Sequence, residues 1–214
     1  MQPFVLASDA VRLAVPERAD IPAVVDACSD PLLQKYTTVP VPYDSSDAEF
    51  FLRRIVDHGW STGREYTWGV RAPGSSLLVG MISLRFADDD IGFWMSPGYR
   101  GRGLMTAAVG LVADWAFSTG GVDELYWEAF LDNDGSAGVA RSAGFRYTGD
   151  ARGLHPDRDG SHPLCRTGRL RAGDDRTVKT GWPLTGPRSE YPRDAGVDSP
   201  DRIAPGGTIE SETA

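Results

Sequence analysis

The chain has 214 residues, of which 41% are hydrophobic, 24% charged and 10% aromatic, and its net charge is −8. At roughly 100–200 residues per domain this describes one globular domain with room for an appendage, and it excludes collagen-like, coiled-coil and wholly disordered chains. The acidic balance argues against a nucleic-acid backbone or an anionic membrane surface as the main partner, but leaves room for a local basic site that takes a small anion.

Two cysteines, Cys28 and Cys165, make no disulfide framework and suit a reducing compartment. The N-terminus lacks a basic n-region, and its apolar run over 4–7 is too short for a signal peptide. No stretch approaches the ~20 apolar residues of a membrane span. The expectation is a soluble cytoplasmic protein; a homodimer stays open.

Taken in order, Val11, Leu13 and Val15 alternate as in a strand. Asp20 is placed to cap a helix with Ile21, Val24, Val25 and Cys28 on one face. Ser46 and Glu49 have capping-box spacing, opening a helix with a stripe of Phe51, Leu52, Ile55 and Val56 that ends near Gly59. Strands are expected over 65–71, 77–86 and 90–96, separated by turn residues at 73–76 and 87–89. A glycine-rich loop, Tyr99-Arg100-Gly101-Arg102-Gly103, leads into a helix over 104–118. Then come a strand over 124–130, a short helix over 136–143 closed by Gly144, and two strands over 145–151 and 164–171. A strand, helix and strand in succession make a crossover, so the sheet is mixed.

From Asp174 the composition changes. Residues 174–214 hold eight acidic and five basic residues and prolines at 183, 187, 192, 200 and 205. So few apolar residues cannot offset chain entropy, so this tail is expected to lie outside a 1–173 domain and to be disordered from about Gly196. Trp182 is placed to dock on the body.

The glycine-rich loop is the first chemical signal. First-turn amides of a helix lack intrahelical acceptors and carry partial positive charge, and glycine lets a ligand approach the backbone. With two arginines this suits a pyrophosphate, although a loop that merely turns is equally compatible. A Rossmann fingerprint would need glycine where Thr106 stands, and no Walker G-K-[ST] occurs. The second signal is Asn133 at a strand end with Ser136 at a helix start, residues that also serve as ordinary turn and cap. His162 and Cys165, near His155, Asp157 and Asp159, lack metal-site spacing, so no metal is expected. Cys28 reads as core. Trp60, Trp68, Trp94 and Trp115 read as mainly core, with Trp94 also placed to line a cleft.

Together Y-R-G-R-G-L-M-T, over 99–106, and N-x-x-S-x-x-V-A-R-x-x-G-F, over 133–145, resemble the GNAT superfamily of acetyl-CoA-dependent N-acetyltransferases. The W-x-A run at Trp127, ahead of Asn133 and Ser136, is similar to the RimJ/RimL-like branch. The family's R/Q-x-x-G-x-G/A signature maps onto Arg100, Gly103 and Met105, the last departing from the small residue expected there.

The resemblance implies an α/β fold of the α+β kind: a central mixed, largely antiparallel sheet flanked by helices and splayed at an acetyl-CoA cleft. It implies that the backbone of Phe93, Trp94 and Met95 pairs with the pantetheine arm. Amides across Arg100, Gly101, Arg102, Gly103, Leu104, Met105 and Thr106 would hold the pyrophosphate. Asn133 would bond the pantetheine or fix neighbouring backbone, and Arg141 would reach a cofactor phosphate. It implies Ser136 as donor to the leaving thiolate.

The chemistry sets further requirements. Acetyl transfer to an amine needs a base and an oxyanion donor, for which an amide near Met95 is placed. His155 or Asp90 is the candidate base, with Glu128 third. The acceptor is expected to be a protein N-terminal amine, a small amine or an aminoglycoside-like antibiotic. Residues 35–44, with Tyr36, Pro40, Pro42 and Tyr43, would form its wall. The rival expectation is a non-catalytic acyl-CoA-binding sensor or scaffold, and a third is an interaction protein acting through the tail.

Overall fold

A computed structural model of the chain, in which residues 2–184 are described, places eight strands among those residues in one open sheet. The strands are β1 (Leu6–Ala7), β2 (Arg12–Ala14), β3 (Glu65–Arg71), β4 (Leu78–Arg85), β5 (Asp90–Met95), β6 (Glu124–Phe130), β7 (Arg146–Arg152) and β8 (Leu164–Arg171). Their spatial order is β1-β2-β3-β4-β5-β6-β8-β7. Every neighbouring pair is antiparallel except β5–β6, which is parallel, so the sheet is mixed and mostly antiparallel, as expected. The expectation of disorder from Gly196 falls outside the described residues.

The helices are α1 (Ile21–Cys28), α2 (Pro31–Tyr36), α3 (Ser45–Phe50), α4 (Asp57–Thr62), α5 (Leu104–Ser118) and α6 (Asp134–Ser142). A wider π-helical stretch, Phe51–Val56, joins α3 to α4. Three local expectations need correction. The capping box lies two residues early: Asp44 accepts from the amides of Ser46 and Asp47, while Asp47 accepts from the Asp44 amide. The helix also runs past Gly59 and stops at Gly63, whose φ of 73° suits glycine. Gly59 serves close packing instead, because a Cβ there would lie 2.5 Å from the Glu65 carbonyl oxygen. Asp20 does not cap α1 through its side chain. It accepts from the Glu17 amide and pairs with Arg71 at 2.6 Å, in a buried bridge that ties the first helical turn to β3.

The core lies between the sheet and α5, centred on Trp68, Ile82, Leu84, Val109, Val112, Leu125 and Phe145. A second cluster joins α1, α2 and α3 to β4 through Val24, Cys28, Leu33, Tyr43, Ala48 and Met81. Tyr43 thus packs inward beside Cys28. Trp182 is 8% exposed; its Nε1 donates to the Phe145 carbonyl, and its ring meets that of Trp127 edge-on at 5.3 Å.

Candidate active site

The parallel pair β5–β6 carries the site because it barely exists. A single register pair, Asp90 with Tyr126, joins the two strands, supported by the Tyr126 amide donating to Asp89. Beyond it the strands part, so the β6-facing edge of β5 over Ile91–Met95 has no strand partner. Phe93, Trp94 and Met95 occupy that edge.

The glycine-rich loop follows at the open end. Gly101 and Gly103 have φ values of 72° and 77°, and open space lies where each Cβ would stand. Gly103 caps α5 without a side-chain acceptor, so the cap leaves the first-turn amides around Leu104, Met105 and Thr106 to other acceptors. The Arg100 side chain is committed elsewhere: Nε donates to the Met95 carbonyl and Nη2 pairs with Asp30 at 2.5 Å. Its guanidinium braces the loop and leaves the loop's amides for a ligand. Arg102 lies over the Tyr99 ring, 5.1 Å from its centroid, and no carboxylate pairs with it among the described residues. On α6, the Nε of Arg141 is buried without a partner. An uncapped helix N-terminus, two open glycines and a free arginine fit a polyphosphate such as that of coenzyme A.

Asn133 and Ser136 exchange the roles expected of a turn and a cap. Asn133 is the N-cap of α6, its Oδ1 accepting from the Ser136 amide at 3.1 Å. Ser136 sits inside the first turn, where its Oγ accepts from Trp127 Nε1 at 3.2 Å. That bond occupies a lone pair and leaves the hydroxyl proton to be donated outward.

The three candidate bases, far apart in sequence, converge. Asp90 is nearly fully buried, and its carboxylate accepts from both Nε and Nη2 of Arg85 and meets His155 Nε2 at 3.1 Å. Glu128 accepts from the Leu154 and His155 amides and from the Tyr126 hydroxyl. Burial pushes the Asp90 carboxyl up, but the bonds from His155 and Arg85 outweigh it and hold its pKa below the usual carboxylate range. The same bond raises the His155 pKa above its ordinary value against the opposing effect of burial. Residue type suggested each of these groups. Arg85, which completes the cluster, carried no local signal, because an arginine at a strand end is ordinary.

Comparison with known proteins follows the same lines. Residues 11–146 match the acetyltransferase (GNAT) domain family. Over 94 residues the chain is 32% identical to the Probable N-acetyltransferase YjcK of Bacillus subtilis (strain 168), covering 41% of this chain and 52% of that protein. The chain thus spans about half the length of that curated relative. Among solved structures, a protein of Vibrio cholerae assigned as a ribosomal-protein-serine acetyltransferase superposes with a TM-score of 0.72 at 18% identity, covering 80% of this chain and all of that one. RimJ of Mycobacterium smegmatis, in complex with a CoA disulfide, superposes at 0.66 with 17% identity, covering 80% and 86%. The ribosomal L7/L12 α-N-protein acetyltransferase RimL with coenzyme A superposes at 0.68 with 15% identity, covering 80% and 100%. At these identities the solved structures establish the fold.

Proposed function

The chain belongs to the GNAT family of acetyl-CoA-dependent acetyltransferases, and from that premise we propose that it moves the acetyl group directly to a primary amine, with His155 as general base. The observation that carries this is the His155–Asp90 bond beside the single pair that joins β5 to β6. Asp90 is ionised, so it accepts, and the shared proton sits on His155 Nε2. Nδ1 is then the free lone pair that takes a proton from the acceptor ammonium. Asp90 itself is a poor base, because protonating it would break its pairing with Arg85. It fixes the ring and its tautomer.

The remaining roles are assigned on the same reading. The amides of the glycine-rich loop and Arg102 would hold the pyrophosphate, with Arg141 on a further phosphate and the open edge at Phe93, Trp94 and Met95 along the pantetheine arm. An amide near Met95 would donate to the oxyanion. The Ser136 hydroxyl would protonate or hydrogen-bond the departing thiolate. The Vibrio cholerae and RimL neighbours, whose names concern ribosomal-protein and α-N-protein acetylation, favour a protein N-terminal amine as acceptor, and with RimJ they favour the RimJ/RimL-like branch as this chain's place.

An acceptor panel tests this: a peptide with a free N-terminal serine, a diamine and an aminoglycoside, each with acetyl-CoA. His155→Gln should lower kcat by about 10²-fold or more while calorimetric affinity for acetyl-CoA is kept. An unchanged rate and pH profile would remove His155 from the role.

A further inference from the structure

Helix α2 is a six-residue crossbar tied at both ends to the candidate site. At its N-terminus Asp30 accepts from the Leu33 amide and pairs with Arg100 of the glycine-rich loop. At its C-terminus the carbonyls that a helix end leaves without intrahelical donors meet the loop between β7 and β8. There Arg158 donates from Nη2 to the carbonyls of Gln34 and Thr37, and from Nε to that of Val39 at 3.0 Å. Arg158 stands three residues after His155 on one loop, whose backbone is held by Glu128 at Leu154 and His155. A second tether runs beside it: Lys35 pairs with Asp132 at 2.6 Å, and the Tyr36 hydroxyl donates to the Asp132 carbonyl.

We propose that Arg158 is a positioning residue for the amine acceptor: it locks the segment 34–39, one wall of the acceptor site, to the loop that carries the candidate base. The inference rests on the acetyltransferase function proposed above. Three carbonyls spread over six residues cannot be met by one another. A guanidinium fork with five donors meets all three, while a lysine ammonium meets fewer and without fixed geometry. The donor side does not depend on this latch, because Asp30 and Arg100 hold the other end of α2 and Arg100 is bonded independently to Met95. Losing Arg158 therefore frees the acceptor wall while the coenzyme loop keeps its anchors.

The test compares Arg158→Ala and Arg158→Lys with the wild type, using the seryl peptide as acceptor. Arg158→Ala should raise KM for the peptide by about tenfold, the scale of losing charge-assisted hydrogen bonds, and leave KM for acetyl-CoA within about twofold. Hydrogen exchange of amides 34–44 should speed up, and Arg158→Lys should recover part of both effects. A folded variant with unchanged peptide KM, or one in which both KM values rise together, overturns the latch alone. If Arg158→Ala does not fold, Arg158→Lys decides by the same KM split. Failure of the wild type to acetylate any amine in the panel removes the parent function and this inference with it.

Discussion

The two parts of the sheet that meet at Asp90 are built differently. β1 to β5 are successive antiparallel neighbours over an aromatic cluster in which Phe4, Trp60, Tyr66, Trp68, Phe86 and Trp115 are in ring contact, with Trp60 and Tyr66 stacked at 4.2 Å. β6, β8 and β7 form a smaller sheet with an exposed edge strand, backed by Trp127, Phe145, Leu170 and Trp182. One residue pair joins them within the sheet, and the ionic cluster of Arg85, Asp90, His155 and Glu128 draws two members from each side. One hydrophobic core runs beneath both parts, but within the sheet the join between them is that residue pair and the ionic cluster. The lesson is that the groups best placed to move protons also stitch the halves, so stability and rate should separate on one side of the join and mix on the other.

Three substitutions test that separation, in falling order of expected effect. Trp68→Ala removes a fully buried ring from the aromatic cluster and should cost on the order of 4 kcal/mol in urea unfolding. The surviving folded fraction should keep its acetyl-transfer rate per molecule. Trp182→Ala should cost about 3 kcal/mol, and here the rate should fall too, because the ring it removes packs on Trp127, the donor to Ser136 Oγ. Trp182→Phe should recover most of the packing and lose only the bond to Phe145, about 1 kcal/mol. A Trp182→Ala variant with unaltered kcat would show that the second part is as separable as the first.

Asp90→Asn is smaller in stability and more specific in its signature. The Asp90 bond favours the charged imidazole, so removing the carboxylate's charge should lower the His155 pKa and move the acid limb of kcat/KM to lower pH. The plateau should fall by about tenfold as the ring loses its fixed tautomer. In the wild type the raised His155 pKa contributes stability that is complete below histidine's ordinary pKa and fades as pH rises through the raised one. The depressed Asp90 pKa contributes stability present above the ordinary carboxylate pKa, fading as pH falls through its own. The bridge between the halves is therefore strongest between those limits, and the stability difference between wild type and Asp90→Asn, measured against pH, should be largest there and shrink towards both.

What the sequence disclosed follows the range of each interaction. The strands and α5 were legible because alternation and helical spacing are local. The loop at Gly101 and Gly103 was legible because a strand, glycines and a helix sit in succession. The capping box was misplaced because Asp44 and Asp47 share the spacing of Ser46 and Glu49, and only the backbone chooses between them. Gly59 was misread as a stop because its partner, the Glu65 carbonyl, comes after the chain has turned. Asp20 with Arg71, Arg100 with Asp30, and Arg158 with α2 pair groups far apart in the chain, and no local pattern marks such pairs. His155, Asp90 and Glu128 were each suspected by type, but their meeting depends on a loop that folds back across the join.

The smallest expected effect is also the finest probe of the comparison. Arg18 with Glu49 at 3.2 Å and Lys35 with Asp132 at 2.6 Å are both exposed ion pairs. Exposed pairs contribute little to stability, so Arg18→Ala and Lys35→Ala should leave the melting temperature unchanged. Their positions differ: the first lies on the scaffold, and the second ties α2 to the turn after β6, across the splay. Lys35→Ala should therefore raise the acceptor KM about two- to threefold, with the increase shrinking as salt screens the wild-type pair, while Arg18→Ala changes no kinetic constant. Equal kinetic silence from both would mean that the tethers across the splay hold shape without guiding the acceptor. The opposite ranking would place acceptor recognition on the scaffold side.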